Sequence, residues 1–276
     1  MVLASPGPAG GTAVALGTDR GAGPRRARGP GMIVLPRAVG HGMRVEIWSD
    51  VVCPWCYVGK RNFEAALARF EHRDEVEVVW RAFELDPGAP ALREGPYVAR
   101  LARKYRTSVE GAQAMVDRIT GAAAAVGLDF DFDVAKPGNT FDAHRVIHLA
   151  AHHDLQDAMK ERLLAATFTE GEAIGDRDVL VRLATDVGLD ADEVREVLAA
   201  GTYGDEVRAE EAEASQLEIT GVPFFVVDRA FGISGAHPPE ALARVLDKAW
   251  ADAHPPALVI AGGGTAPACD DETCDV

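Results

Sequence analysis

The first regular pattern along the chain predicts a strand, a helix and a second strand. Polar and apolar residues alternate over residues 44–48, which favours a short strand with its apolar side chains on one face. After Cys56 the apolar positions recur at helical spacing and predict a helix that reaches about Phe70. A second strand is predicted over residues 76–83. Parallel strands need a crossover of this length, so the pattern indicates a β-α-β unit.

The middle of the chain is helical in pattern almost throughout. From residue 95 to about residue 216, short breaks rich in glycine separate the helical segments. Asn139, Asp176 and Asp190 stand where the N-caps of three of these helices are expected. The acidic run over residues 205–218 predicts a solvated helix face.

Two further strands and a helix are predicted near the C-terminus. An apolar strand over residues 221–227 is entered through Pro223, and a shorter strand follows over residues 231–235. Residues 239–250 form an amphipathic helix whose inward positions are Leu242, Val245, Leu246 and Trp250. The order β-α-β, helical insert, β-β-α is that of an α/β thioredoxin fold with a large all-helical insertion.

The same patterns divide the chain into domains. We expect two parts of the thioredoxin domain with the helical insertion domain between them, at residues 43–90, 216–254 and 91–215. Glycine and proline crowd residues 1–42, which predicts a disordered leader or a true start of translation at Met43. Residues 255–276 have the composition of a flexible tail.

Charge and hydropathy narrow the class of protein. The formal net charge of −15 repels phosphate backbones, so nucleic acid is not expected as a partner. The first 43 residues lack an apolar run long enough for an export signal, and no uninterrupted apolar stretch of the sequence spans a membrane. We therefore expect a cytoplasmic location and no membrane partner.

A pair of cysteines marks the predicted junction between the first strand and the first helix. Cys53 is expected at the exposed amino end of the helix, where the helix dipole and Cys56 lower its pKa and make it the nucleophile. Cys56, one turn deeper, is expected to resolve the mixed disulfide. Pro54 suits the first helical turn, and Trp55 offers an apolar contact to a bound peptide. These residues predict disulfide exchange.

Two other interpretations of this cysteine pair stay open at this point. A Cys-x-x-Cys sequence also begins many zinc sites, and a pair of this kind also occurs as an inert structural feature. The proline and tryptophan between helix-terminal cysteines suit redox chemistry better than zinc binding. We therefore assign no metal site.

Three segments carry a resemblance to a known family: Ser49-Asp-Val-Val-Cys-Pro-Trp-Cys-Tyr-Val-Gly59, Asn139-Thr-Phe-Asp-Ala-His-Arg145 and Thr220-Gly-Val-Pro-Phe-Phe225. Together they resemble the DsbA-like thioredoxin superfamily and, within it, the FrnE-like oxidoreductases, over about residues 43–253. The resemblance implies disulfide exchange at the cysteine pair and a cis peptide bond before Pro223, where Val222 offers its backbone to an extended substrate. The alternative is an ordinary trans proline at a strand start.

Other polar residues are weaker candidates for the site. His144 and Arg145 are expected either to line a substrate groove or to pack and cap. Asp50 is either an acid near the thiols or a solvated loop residue. Three roles are open for Cys269 and Cys274 on the tail. They are a second redox pair, as in the FrnE-like proteins that the chain resembles, or a metal site, or a pair without a function.

The predicted function is that of a protein disulfide oxidoreductase without a bound cofactor. Its expected partners are protein or small-molecule disulfides and dithiols, together with a cellular thiol reductant. The related 2-hydroxychromene-2-carboxylate isomerases have serine where Cys53 stands, so a glutathione-dependent isomerase or transferase, with glutathione as co-substrate, is the alternative. A redox-inactive binding module is the third possibility. The oligomeric state, monomer or homodimer, stays open.

Overall fold

The computed structural model describes residues 42–255 and a two-residue strand, β1 (Val14–Ala15). The body of the sheet consists of β2 (Met43–Ser49), β3 (Val76–Ala82), β4 (Phe224–Val227) and β5 (Phe231–Ser234), and the strand order is β1-β5-β4-β2-β3. Strand β1 falls within the stretch predicted as a disordered leader. The rest of that leader, and the predicted tail after Pro255, lie outside the described residues.

Strand β2 organises the sheet. It pairs in parallel with β3, beginning with Met43 opposite Val76, and antiparallel with β4, which in turn pairs antiparallel with β5. Helix α1 (Pro54–Leu67) is the crossover between β2 and β3, and the C-terminal helix α9 (Pro239–Ala253) packs on α1. The mixed sheet with its β-α-β and β-β-α units confirms the predicted thioredoxin fold.

Seven helices lie between β3 and β4 and form the predicted all-helical insertion. They are α2 (Tyr97–Tyr105), α3 (Val109–Ala124), α4 (Phe141–Ala151), α5 (Gln156–Phe168), α6 (Arg177–Asp186), α7 (Ala191–Ala200) and α8 (Gly204–Gln216). The short breaks predicted from glycine and proline separate these helices.

Aspartate side chains begin two of these helices, as the sequence predicts. Asp176 and Asp190 each accept two backbone N–H groups of the first turn, in α6 and α7. The third predicted cap is displaced by one residue, because Thr140 occupies the N-cap of α4. Asn139 instead accepts the N–H of the first residue of α4 and donates to the carbonyl of Pro87. It therefore fastens the loop after β3 to the start of α4.

Apolar residues of the last helix and of the turn after α1 pack on the sheet. Helix α1 ends at Leu67, before the predicted end at Phe70, which is nevertheless buried from the following turn. On α9 the predicted inward positions Leu242 and Leu246 are buried. The other two, Val245 and Trp250, are partly buried.

The sheet and the insertion share their hydrophobic cores. One core joins the sheet and α9 to insertion helices through residues such as Val45, Phe225, Leu246, Leu149 and Leu183. The second core joins the cysteine pair and Trp48 to Phe130 and Phe168 of the insertion. Because the cysteine pair lies in this second core, the insertion forms one wall of the candidate site.

Candidate active site

The cysteine pair occupies the junction between β2 and α1. Cys53 is the N-cap residue of α1, and its N–H donates to the carbonyl of Asp50 at 3.2 Å. Pro54 takes the first turn, where its missing N–H costs no hydrogen bond. Both cysteines are free, and the exposed fraction of Cys53 is 0%. The expectation that Cys53 is exposed is therefore wrong, because apolar residues of the second core surround it.

The pKa of Cys53 shifts in the direction opposite to the predicted one. Burial raises the pKa of Cys53 well above its ordinary value, and the hydrogen bond with Cys56 acts in the same direction. Burial also acts to raise the pKa of Cys56, but the hydrogen bond from Cys53 and the positive charge of Lys160 outweigh it and lower that pKa. When this buried pair loses its first proton, the negative charge therefore lies on Cys56.

A cis peptide bond joins Val222 and Pro223 beside the cysteine pair. The thiol of Cys53 donates to the carbonyl oxygen of Val222 at an Sγ–O distance of 3.4 Å. A Cβ atom added to Gly59 would lie 2.8 Å from Cγ of Pro223, so a side chain at this position of α1 would collide with the proline. Glycine thus lets the helix approach the cis peptide, and residues 169 positions apart meet at one site.

Asp50 lies in the interior beside the cysteine pair, so the alternative of a solvated loop residue is wrong. Its carboxylate accepts the N–H of Leu85 at 2.7 Å and lies 3.5 Å from Nε2 of His144. Burial acts to raise the pKa of Asp50, but His144 and the Leu85 N–H outweigh it and lower that pKa. The expectation that His144 lines an open groove is corrected, because its side chain is buried against Asp50.

The sequence reasoning missed Lys160, a residue of α5 that is fully buried near the pair. Its Nζ donates to the carbonyl of Ser49 at 3.1 Å and lies 5.5 Å from the ring centre of Trp80. Among the described residues no carboxylate forms an ion pair with it, and burial lowers its pKa to about 8. The signal that reveals it is spacing: Lys160 lies three residues before Leu163, on the apolar face of α5.

These groups form one cluster of titratable side chains behind the helix terminus. We call it the reactive cluster and define it as Cys53, Cys56, Asp50, His144 and Lys160. Two buried atoms in or beside it, Nε2 of His144 and Oγ of Ser49, have no hydrogen-bond partner in the described part of the chain. Buried groups with shifted pKa values and unused hydrogen-bonding capacity are typical of active sites rather than of structural cores.

Two residues predicted to bind substrate have structural positions instead. Trp55 is 7% exposed and packs in the second core, which leaves little of its ring for a bound peptide. Arg145 is buried, and its guanidinium donates to the carbonyls of Thr202, at 2.7 Å, and Val197. The predicted groove role of Arg145 is corrected, because it closes the C-terminal end of α7.

A second buried group of charges lies where α8 packs on the sheet. Glu210, predicted on a solvated face, is buried and accepts the N–H of Ala82 at 2.7 Å and Nη1 of Arg81 at 2.8 Å. Ion pairs connect Glu210 to further side chains around it. We call the connected set the paired cluster and define it as Glu46, Arg81, His148, Glu210 and Arg229. The prediction that Glu210 faces solvent is wrong, because its buried carboxylate is compensated by hydrogen bonds and ion pairs with residues of other elements.

Some predictions about other sites fall outside these groups. Cys269 and Cys274 lie outside the described residues, so the second redox pair stays a prediction. Within residues 42–255, no three side chains of His, Cys, Asp or Glu are grouped in a way that would hold a metal ion. Over the same range, no helix combines the length and apolar character that crossing a bilayer requires.

Comparison with known proteins places these features in a wider set. The chain is 32% identical over 189 residues to the uncharacterized protein YwbO of Bacillus subtilis (strain 168), which covers 67% of this chain and 86% of that protein. Its structure is similar to that of a probable DsbA oxidoreductase, SCO1869, from Streptomyces coelicolor, with 50% identity, a TM-score of 0.74 and coverage of 79% of this chain and 94% of that one. A 2-hydroxychromene-2-carboxylate isomerase, 12% identical, shares the fold with a TM-score of 0.58 over 76% of this chain and 97% of its own.

The family profile agrees with the structural evidence. The DSBA-like thioredoxin domain matches residues 44–247, a stretch that begins in β2, includes the cysteine pair and the cis peptide bond, and ends within α9. The matched stretch also contains β3, the helical insertion, β4 and β5. The chain belongs to the DSBA-like thioredoxin domain family, as its sequence segments suggested.

Proposed function

We propose that this DsbA-like protein is a thiol–disulfide oxidoreductase of the FrnE-like kind, working through Cys53 and Cys56. The observation that carries the proposal is the placement of two free thiols at the start of α1, between the carbonyl of Val222 and the buried ammonium of Lys160. A lysine charge near a cysteine pair stabilises a thiolate, and the thiolate is the species that attacks disulfides.

The proposed reaction transfers two electrons from the thiol pair to a disulfide. Cys53 flanks the surface cleft through Val52 and Pro54, so it is the sulfur that a substrate meets first. Its proton passes to the Cys56 thiolate, and the Cys53 thiolate so formed bonds to one substrate sulfur while the other substrate sulfur leaves and takes the proton from Cys56. Cys56, again a thiolate, attacks the Cys53 sulfur, and the second substrate sulfur leaves and takes a proton from water. The reverse sequence oxidises a substrate dithiol.

The environment of the pair supports these proton movements. Burial lowers the pKa of Lys160 to about 8, so its ammonium exchanges a proton close to neutral pH, and Asp50 also lies near the pair. Cys53 has no exposed surface, so a disulfide reaches it only after side chains of the cleft wall move aside. No bound cofactor takes part in this scheme. The proposed partners are protein or small-molecule disulfides and a cellular thiol reductant in the cytoplasm.

Reduction of insulin by dithiothreitol tests the proposal. The wild-type protein is expected to accelerate precipitation of the insulin chains, and Cys53→Ser is expected to return the rate to that of dithiothreitol alone. The double variant Cys269→Ser/Cys274→Ser serves as the matched cysteine control and should keep the first turnover at the wild-type rate. A Cys53→Ser variant as active as wild type would refute the proposal. Glutathione-dependent isomerisation that survives Cys53→Ser would point to the isomerase alternative instead.

A further inference from the structure

A cleft with an excess of positive charge opens next to the cysteine pair. Its lining includes Val52 and Pro54, the chain neighbours of Cys53, and the side chains of Tyr97, Arg100 and Lys104 on α2. The space inside it that admits the centre of a water-sized sphere is about 90 Å³. So narrow a cleft admits a small molecule or an extended chain rather than a folded protein surface.

The two cations on α2 have no acidic partner. Arg93, at the same cleft, is held by an ion pair with Asp86. Arg100 donates through Nη1 to the carbonyls of Arg93, at 3.2 Å, and Gly95, while its Nη2 atom is buried without a hydrogen-bond partner. Lys104 has no ion pair with any described carboxylate. The lining thus holds three cations, Arg93, Arg100 and Lys104, against two carboxylates, Asp50 and Asp86, and keeps an excess of one positive charge.

This lack of partners is unusual in a chain with a net charge of −15. Acids are abundant, yet no described carboxylate forms an ion pair with Arg100. Burial lowers the pKa of Arg100, and the nearby charge of Arg93 lowers it further. An unpaired, partly buried guanidinium donor costs free energy, and an anion bound in the cleft would recover that cost.

The cleft also lies close to the reacting sulfur. Tyr97, which lines the cleft, packs against the second core, and that core contains Cys53. An anion held by Arg100 and Lys104 would therefore lie in the cleft that Val52 and Pro54, the chain neighbours of Cys53, also line.

We infer that this cleft is an anion subsite, and that it selects low-molecular-mass disulfides bearing carboxylates as reaction partners. The inference rests on the proposed function and adds a substrate class to it. Arg100 and Lys104 bind a carboxylate of the disulfide while Cys53 bonds to one of its sulfurs. The rest of the exchange follows as above: the protein pair becomes a disulfide and two molecules of the small thiol leave with their protons.

Single-turnover kinetics with two disulfide probes test this inference. The reduced protein is mixed with glutathione disulfide, which is anionic, or with bis(2-hydroxyethyl) disulfide, which is neutral, and oxidation of the pair is followed after acid quenching. Arg100→Gln is expected to slow the reaction with glutathione disulfide by about five- to tenfold, the lower range of electrostatic rate effects, and the neutral reaction by less than about twofold. Arg103→Gln removes the same charge from the exposed face of α2 and is expected to change neither rate by more than about twofold.

Each other outcome separates the inference from the proposed function. Equal slowing of both probes by Arg100→Gln, or no slowing of the anionic one, would overturn the subsite while leaving disulfide exchange intact. Slowing of insulin reduction without slowing of the glutathione disulfide reaction would assign the cleft to protein substrates and overturn the small-molecule inference. Failure of the wild-type pair to react with either probe would overturn the proposed function as well.

Discussion

Strand β2 leads to two buried groups of charge that differ in how they are compensated. Glu46, within the strand, belongs to the paired cluster, in which arginines from other elements meet the carboxylates. Asp50, just after the strand, belongs to the reactive cluster, where Lys160 has no carboxylate partner and His144 has a buried nitrogen without a hydrogen bond. The carboxylates of both groups are buried, yet only the first group is internally satisfied.

The difference separates structural from chemical uses of buried charge. A paired cluster has its desolvation cost offset by ion pairs and hydrogen bonds, so removing one member leaves another charge stranded. An incompletely paired cluster keeps part of its cost, because burial moves the pKa values of Cys53 and Lys160 against their charged forms, a state that suits proton transfer. We therefore expect substitutions in the paired cluster to lower stability, and substitutions in the reactive cluster to lower reactivity.

The largest expected stability effect comes from the centre of the paired cluster. Glu210→Ala strands the guanidinium of Arg81 and the N–H of Ala82, and should lower the free energy of unfolding by about 3–5 kcal/mol in urea denaturation. Glu206→Ala, on an exposed position of the same helix, should change it by less than about 0.5 kcal/mol. A stable Glu210→Ala protein would remove the distinction between the clusters.

Two buried lysines beside Trp80 give a closer test of the same distinction. Lys60 is 2% exposed in its side chain and forms ion pairs with Glu64, Asp157 and Glu161, whereas Lys160 is 0% exposed and has no such partner. Lys60→Met should lower the free energy of unfolding by about 1–3 kcal/mol, because it removes a cation shared by three carboxylates and leaves Asp157 without its ion pair.

The matching substitution in the reactive cluster should behave differently. Lys160→Met removes an unpaired buried charge, so the free energy of unfolding should stay within about 1 kcal/mol of wild type or rise. Alkylation of the cysteine pair by iodoacetamide at pH 7 should slow by about tenfold, because loss of the positive charge raises the pKa at which the pair forms its thiolate. Equal alkylation rates in the two proteins would show that Lys160 does not stabilise the thiolate.

The smallest expected effect concerns Glu84, which lies between the two kinds of cluster. One oxygen of Glu84 is paired with Arg208 and the other is buried without a partner, and burial raises its pKa to about 7. Since this folded-state pKa lies above the unfolded value of about 4.3, the folded state binds the extra proton between these pH values. The contribution of Glu84 to stability is therefore present below about pH 4 and is lost as the pH rises through 7.

Glu84→Gln does not titrate, so it isolates this contribution. Relative to wild type, the variant should gain on the order of 1 kcal/mol in free energy of unfolding between pH 5 and pH 8, after allowance for solvent screening. Glu196→Gln, at an exposed position of α7, should differ from wild type by the same amount at both pH values. A pH-independent difference for Glu84→Gln would show that Glu84 is already ionised at pH 5.

Local sequence signals predicted the fold well because they depend on neighbours in the chain. Asp176 and Asp190 cap their helices through bonds within one turn, and the strands follow from their apolar patterns. The end of helix α1 was predicted too late. Phe70 continues the apolar spacing of the helix, but it is buried from the turn that follows α1, and spacing alone does not distinguish the two cases.

The site was predicted less completely, because its electrostatics depend on residues far apart in sequence. The cysteine pair was identified by its spacing, but the exposure and the pKa direction of Cys53 were wrong, since the insertion that buries it is distant in the chain. Lys160 and Glu210 each belong to patterns of ordinary helices, and only the tertiary packing shows that they are buried. The sequence likewise left two roles open for Arg145, a substrate groove or packing and capping, and only the tertiary packing shows the second.

The most direct test of the central claim is the formation of a mixed disulfide at a single sulfur. Cys56→Ser and Cys53→Ser proteins are incubated with bis(2-hydroxyethyl) disulfide, and the modified residue and its rate of modification are identified by mass spectrometry of the peptides. The account predicts rapid formation of the adduct on Cys53 in the Cys56→Ser protein and slow modification of Cys56 in the other, because Cys53 lies nearer the cleft. Modification of Cys56 that is faster than that of Cys53 would contradict the account, because the more reactive sulfur would then be Cys56, whose pKa is lowered in the buried pair.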